Sequence, residues 1–144
     1  IPVFVGTLAS NERDQPPFAS GADPADSAAW RFERARALDA QGKAAEARLE
    51  YLAAKDRDEL RFRAPEEFNA VIREVAAARG ATLVDVQGTL AAAARDGIIG
   101  SDLMLEHVHP NREGYDQLAS ASWPAKIWPS GPRTATPMAF LPRM

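Results

Sequence analysis

This chain has two histidines, and both lie in one short run, Leu105-Glu106-His107-Val108-His109-Pro110-Asn111. An imidazole titrates near neutral pH, so it can accept a proton and return it. To work in one direction it needs a partner that holds one ring nitrogen protonated and leaves the other free. Glu106, three positions before His109, can supply that carboxylate from the same stretch of backbone. His109 as general base and Glu106 as its orienting acid therefore form the leading catalytic pair. His107 is expected to point away from His109 and to serve structural hydrogen bonding. Glu106, His107 and His109 also invite a metal reading, but the neighbouring sequence shows no third and fourth ligand to go with His-x-His. No metal and no cofactor is assigned. The absence of cysteine removes disulfides, thiol nucleophiles and Cys-type zinc sites together.

Several elements must position that run. Val3 to Leu8 reads as a short buried strand, and Ser10 to Asp14 as the polar loop at its end. Asp23-Pro24 has the residue types of a helix start, and the helix is expected to run to about Gln41 and stop at Gly42. A second helix spans about Lys43 to Asp56. Small residues at Ala35, Gly42, Ala47 and Ala54, with Tyr51 beside them, let the two helices approach as a hairpin. Pro65 opens a third helix, on which Phe68, Val71, Ile72, Val75 and Ala76 form one apolar stripe, ended by Gly80. Ala81 to Val86 reads as a second strand. A short helix from about Thr89 to Arg95 and a last helix capped by Asn111 and ended by Pro124 complete the pattern. Residues 125–144, with four prolines, read as an irregular tail.

The order strand, helices, strand, helix predicts an α/β layer with a parallel sheet. Chemistry in such sheets gathers in the loops beyond the C-terminal strand ends, where the histidine run falls. Two parallel strands do not make a stable sheet alone. Further strands are therefore expected before residue 1 or from another chain.

Glu106-x-x-His109-Pro110-Asn111-Arg112-Glu113-Gly114-Tyr115 resembles the last conserved block of SGNH (GDSL-like) hydrolases, which has Asp where this chain has Glu106. The likeness extends to about residues 1–20 and 58–123, through Phe68-Asn69-Ala70-Val71-Ile72 and Leu83-Val84-Asp85-Val86. It implies a partial three-layer, flavodoxin-like parallel-sheet fold whose N-terminal strands are missing from this chain. It also implies a serine ester hydrolase in which His109 takes the serine proton and Glu106 steadies the ring. The blocks carrying the family's serine, glycine and asparagine have no recognisable counterpart here, so the chain alone is expected to be inactive. The substrates implied are small esters, or acylated carbohydrates and lipids.

Residues 23–57 resemble one tetratricopeptide-like hairpin, inserted between residues 1–22 and 58–124. A protein partner bound through this hairpin is the competing reading, in which the chain is a non-catalytic interaction module. Asn11 is a candidate substrate-binding residue lining the pocket, with an ordinary loop cap as the alternative. Ser10 follows a strand but lacks a nucleophile-elbow context. Arg61 and Arg63 read as solvated connector charges, and Trp30, Phe32 and Tyr51 as hairpin core. The net charge of -3 gives no electrostatic footprint for nucleic acid.

Overall fold

A computed structural model describes residues 3–23 and 25–121. Its elements are β1 (Phe4–Gly6), α1 (Ala28–Ala40), α2 (Ala44–Asp56), α3 (Glu66–Arg79), β2 (Thr82–Val84), α4 (Val86–Ala93), a 3-10 turn (Arg95–Gly97) and α5 (Arg112–Ala121). β1 and β2 pair in parallel, with Phe4 opposite Thr82 and Gly6 opposite Val84. The expected three-layer, flavodoxin-like parallel sheet is thereby corrected. Among the described residues the chain is mostly helical, and its sheet has two strands of three residues each.

Side chains end the ladder early. Thr7 still donates its N–H to the Val84 carbonyl at 3.0 Å. At Leu8, the Asn69 amide takes over both backbone groups: Leu8 N–H donates to Asn69 Oδ1 (2.7 Å) and Asn69 Nδ2 donates to the Leu8 carbonyl (2.9 Å). A buried side-chain amide thus does what a strand neighbour would do. On β2, Asp85 leaves the strand to cap α4, accepting the Gly88 N–H at 3.2 Å. The helix there starts three residues earlier than the apolar pattern suggests.

The hairpin forms much as its spacing predicts. Its first helix begins at Ser27, whose hydroxyl accepts the Trp30 N–H, while Asp23 closes a small turn onto Ala25 N–H. Gly42 turns the chain at φ +74°, a conformation side chains with a Cβ adopt with strain. Phe32, Ala35, Ala47, Tyr51 and Ala54 pack together with Ile98 from beyond α4. A second core gathers Leu90, Ala91, Ala94, Ile99, Leu103 and Met104. Ile98 has extended backbone angles (φ -112°, ψ 114°), and adjacent extended residues point to opposite sides. One dipeptide therefore joins the two cores.

Two apolar expectations fail. Trp30 is not core: it is half-exposed beside the guanidinium groups of Arg31 and Arg34. On α3 the stripe is largely open, with Phe68, Val71 and Val75 about half exposed and Ala76 buried. None of the helices among the described residues is long and apolar enough to cross a membrane. Ile1 and Pro2, the proline expected to end the last helix and the tail lie outside the described residues.

Candidate functional site

The histidine run forms a tight turn closed from both ends. Met104 and Pro110 make an antiparallel bridge, and the Leu105 N–H donates to the His109 carbonyl at 2.8 Å. Asn111 then anchors the exit. Its Nδ2 donates to the carbonyls of Ser101 (3.1 Å) and Asp102 (3.0 Å), and its Oδ1 accepts the Gly114 N–H at the start of α5. Gly114 is required by closeness. A Cβ there would press into the Leu103 carbonyl oxygen and lie 2.9 Å from Pro110 Cβ. The spacing His-Pro-Asn-x-x-Gly thus has a mechanical meaning, since it lets α5 seat directly against the turn.

Inside the turn, the Glu106 carboxylate gathers donors. The backbone N–H groups of His107 (2.6 Å), Val108 (3.3 Å) and His109 (2.8 Å) all point at it. The Nδ1 of His109 contacts Glu106 Oε1 directly. Desolvation pushes the Glu106 carboxyl up, but the His109 ring and these three backbone donors outweigh it and bring it down to about 2. Glu106 is therefore a fixed anion at neutral pH. The extra methylene of glutamate folds back over its own turn, which is how it reaches a ring three residues on.

An anion on Nδ1 makes that nitrogen the proton donor and leaves Nε2 as the base. The His109 side chain is 69% exposed. Its Nε2 has no hydrogen-bond partner among the described residues, so it is free to meet a reactant. His107 faces the other way, as its alternation with His109 suggests. Its ring stacks on Phe18 with centroids 4.4 Å apart, and Phe62 meets it edge-on at 5.7 Å. Its Nδ1 lies 3.7 Å from Glu106 Oε2, so the carboxylate sits between the two imidazoles.

Asn11 lies on another layer. It is wholly buried. Its N–H donates to the His107 carbonyl (2.9 Å), its Oδ1 accepts from Asp14 N–H (2.9 Å) and its Nδ2 reaches Ser101 Oγ (3.3 Å). The structure thus brings Asn11 against the back of the histidine turn, with its amide committed to loop contacts. Ser10 is also buried and makes no hydrogen bond to the His109 ring. Among the described residues no cluster of three or more His, Asp or Glu side chains is placed to hold a metal ion.

No family model matches this chain, and no curated protein or solved structure matches it either. The reading of the site therefore rests on its geometry.

Sequence reasoning misread one residue near the turn and passed over two others. Arg63 is no solvated charge. It is buried, donates to the carbonyls of Asn11 (3.0 Å) and Gln15 (2.8 Å), and lies 3.7 Å from the buried Asp58. Phe18 and Phe62 sit on polar loops outside any apolar period. That misplacement was itself the available signal, because an aromatic ring that no core requires calls for another explanation.

Proposed function

We propose that this chain supplies the acid–base half of an SGNH-like serine ester hydrolase. His109 Nε2 takes the proton of a hydroxyl nucleophile as that oxygen attacks the ester carbonyl, and later gives a proton to the departing alkoxide. Glu106 holds Nδ1 and balances the imidazolium that forms in between. The observation that carries this reading is the Glu106–His109 contact inside a nest of three backbone donors, with the opposite ring nitrogen open to solvent. A histidine with a merely structural role gains nothing from so much preorganisation of its partner.

The nucleophile in this reading belongs to residues other than Ser10, which is buried and makes no hydrogen bond to the His109 ring. Substrates in this reading are small esters or acylated carbohydrates and lipids. The hairpin gives the competing interaction-module reading little support, because its small-residue face is spent on Ile98 and on its own closure.

Hydrolysis of a short p-nitrophenyl ester tests the proposal. In the protein that carries the nucleophile, His109→Ala should lower turnover by about a thousandfold and Glu106→Gln by at least about tenfold. Ser10→Ala should leave it unchanged. The 144-residue chain alone should give no turnover beyond that of free imidazole. Turnover that survives His109→Ala but not Ser10→Ala overturns the assignment.

A further inference from the structure

β1 is paired on one side only. The Val3 carbonyl accepts the Thr82 N–H at 2.9 Å, and the Thr7 N–H donates to the Val84 carbonyl at 3.0 Å. With Phe4 opposite Thr82 and Gly6 opposite Val84, the ladder to β2 uses the backbone groups of Val3, Val5 and Thr7. Those groups alternate sides along a strand, so the N–H and C=O of Phe4 and Gly6 face away from β2. They meet no partner among the described residues. At Leu8 the Asn69 amide takes the next outward pair. The free edge is therefore a short seat with a fixed end. Val3 to Leu8 carries no charge to guard it, and only an extended backbone supplies donors and acceptors at that spacing.

The open stripe of α3 lies beside this edge. Leu8 lines one groove of about 340 Å³ together with Phe68, Val71 and Ile72. Val75 continues the stripe, and the exposed Ala70 and Ala78 at its borders are small enough for another helix to come close.

The geometry points to a second copy of this chain as the occupant of both features. The copies pair β1 antiparallel to β1 about a two-fold axis normal to the sheet. With Val5 opposite Val5 of the second copy, Phe4 stands opposite Gly6 at both ends of the pair. Every outward N–H and C=O of the two residues then finds its partner, and each ring crosses a residue that has no side chain. The same axis sets the two α3 helices antiparallel on one face of a four-stranded sheet. α3 contacts both strands and so sits over the line between them. That line is about 4.8 Å from the axis, which brings the helices about 10 Å apart, close to the spacing of packed helices. The charges also match. α3 begins with Glu66 and Glu67 and ends with Arg79, so each acidic start faces a basic end.

The area is sufficient. Val3, Phe4, Leu8, Phe68, Val71 and Val75 are each roughly half exposed. Closing them removes on the order of 500 Å² per copy, or about 1,000 Å² in all, which reaches the size of a specific but dissociable interface. This pairing uses none of the residues of the hydrolase reading and stands apart from it.

Sedimentation of the 144-residue chain over a range of concentrations tests the pairing. A monomer–dimer equilibrium with a Kd of roughly 1–100 µM is expected. Val71 is half-exposed in the single copy, so Val71→Lys should keep the fold and weaken the dimer at least about tenfold. Glu67→Arg and Arg79→Glu should each weaken it a few-fold, and the two together should restore it to within about twofold. Two readouts need no variant. In a mixture of labelled and unlabelled chains, Phe4 ring protons should show nuclear Overhauser contacts to Gly6 of the other copy. The amide hydrogens of Phe4 and Gly6 should exchange more slowly as concentration rises.

A chain that stays monomeric to about 1 mM overturns the proposal. So does a dimer that Val71→Lys leaves intact, or one in which Phe4 meets Phe4 in a parallel pair. Protection of the Phe4 and Gly6 amides that is equal at every dilution would mean that the chain covers its own edge, and it overturns the proposal as well.

Discussion

Two loops that meet at the Asn11–His107 hydrogen bond solve opposite problems. The turn Leu105–Asn111 holds its key groups by local contacts and presents them to solvent. The loop Ser10–Asp14 hides its polar groups and ties distant parts together. Ser10, Asn11, Glu12 and Arg13 are all buried. Glu12 faces Arg48 on α2 at 3.6 Å, and Arg13 Nε lies 2.9 Å from Asp39 on α1. The N–H groups of Glu12 and Arg13 both donate to the Ile99 carbonyl, and Asp14 Oδ2 accepts the Ser101 N–H. One loop carries the proposed chemistry. The other holds the hairpin, the connector and the site turn in one piece.

The contrast teaches that polar residues after a strand are not interchangeable as site candidates. A group buried against the charged side chains and backbone of other elements holds structure, and a group preorganised at the surface is available to a reactant. Four perturbations sharpen that division, and each is read by denaturant or thermal unfolding.

The largest effect is expected at Arg63. Arg63→Ala leaves Asp58 buried without its cation and frees two loop carbonyls, which should cost about 3–5 kcal/mol. A loss below about 1 kcal/mol would mean that the loop does not depend on this ion.

Next comes Glu12. Burial raises its carboxyl, against the pull of Arg48 and then Lys55, to about 7, with Glu66 adding to the rise. The folded state thus holds this proton more tightly than the unfolded chain. The resulting stability is present below about pH 4.5 and is lost as pH rises through about 7. A shift from 4.5 to about 7 corresponds to on the order of 3 kcal/mol. Glu12→Gln should flatten that part of the stability–pH curve. An unchanged slope would show that another group titrates.

Gly114→Ala tests the turn itself. Pressing a methyl group against the Leu103 carbonyl should cost about 1–3 kcal/mol and shift the signals of His109 more than those of Glu12. The smallest effect is expected on α3, where Val71→Thr and Val75→Thr should each stay within about 0.5 kcal/mol because both side chains are half-exposed. A loss of 2 kcal/mol there would place them in a core after all.

Much of the local structure was legible in the sequence. Gly42, Gly80 and Pro65 sit where a turn, a helix stop and a helix start were expected, and the hairpin's small residues pack as their spacing implied. The Glu106–His109 pairing also follows from a three-residue offset on one turn. The sheet was less legible because strand length depends on partners distant in sequence. Asn69, 61 positions from Leu8, ends β1 with two side-chain bonds that no local pattern announces. The amphipathic stripe of α3 showed which side is apolar but not whether anything covers it. Arg63 looked like a connector charge because its burial comes wholly from tertiary contacts.

The tautomer of His109 tests the central claim most directly. Nitrogen-15 shifts of its ring, recorded at a pH where the ring is neutral, should show the proton on Nδ1 and the lone pair on Nε2. Glu106→Gln should weaken that preference. A neutral ring protonated on Nε2, or one averaging freely between the two forms in the unaltered protein, would contradict the account.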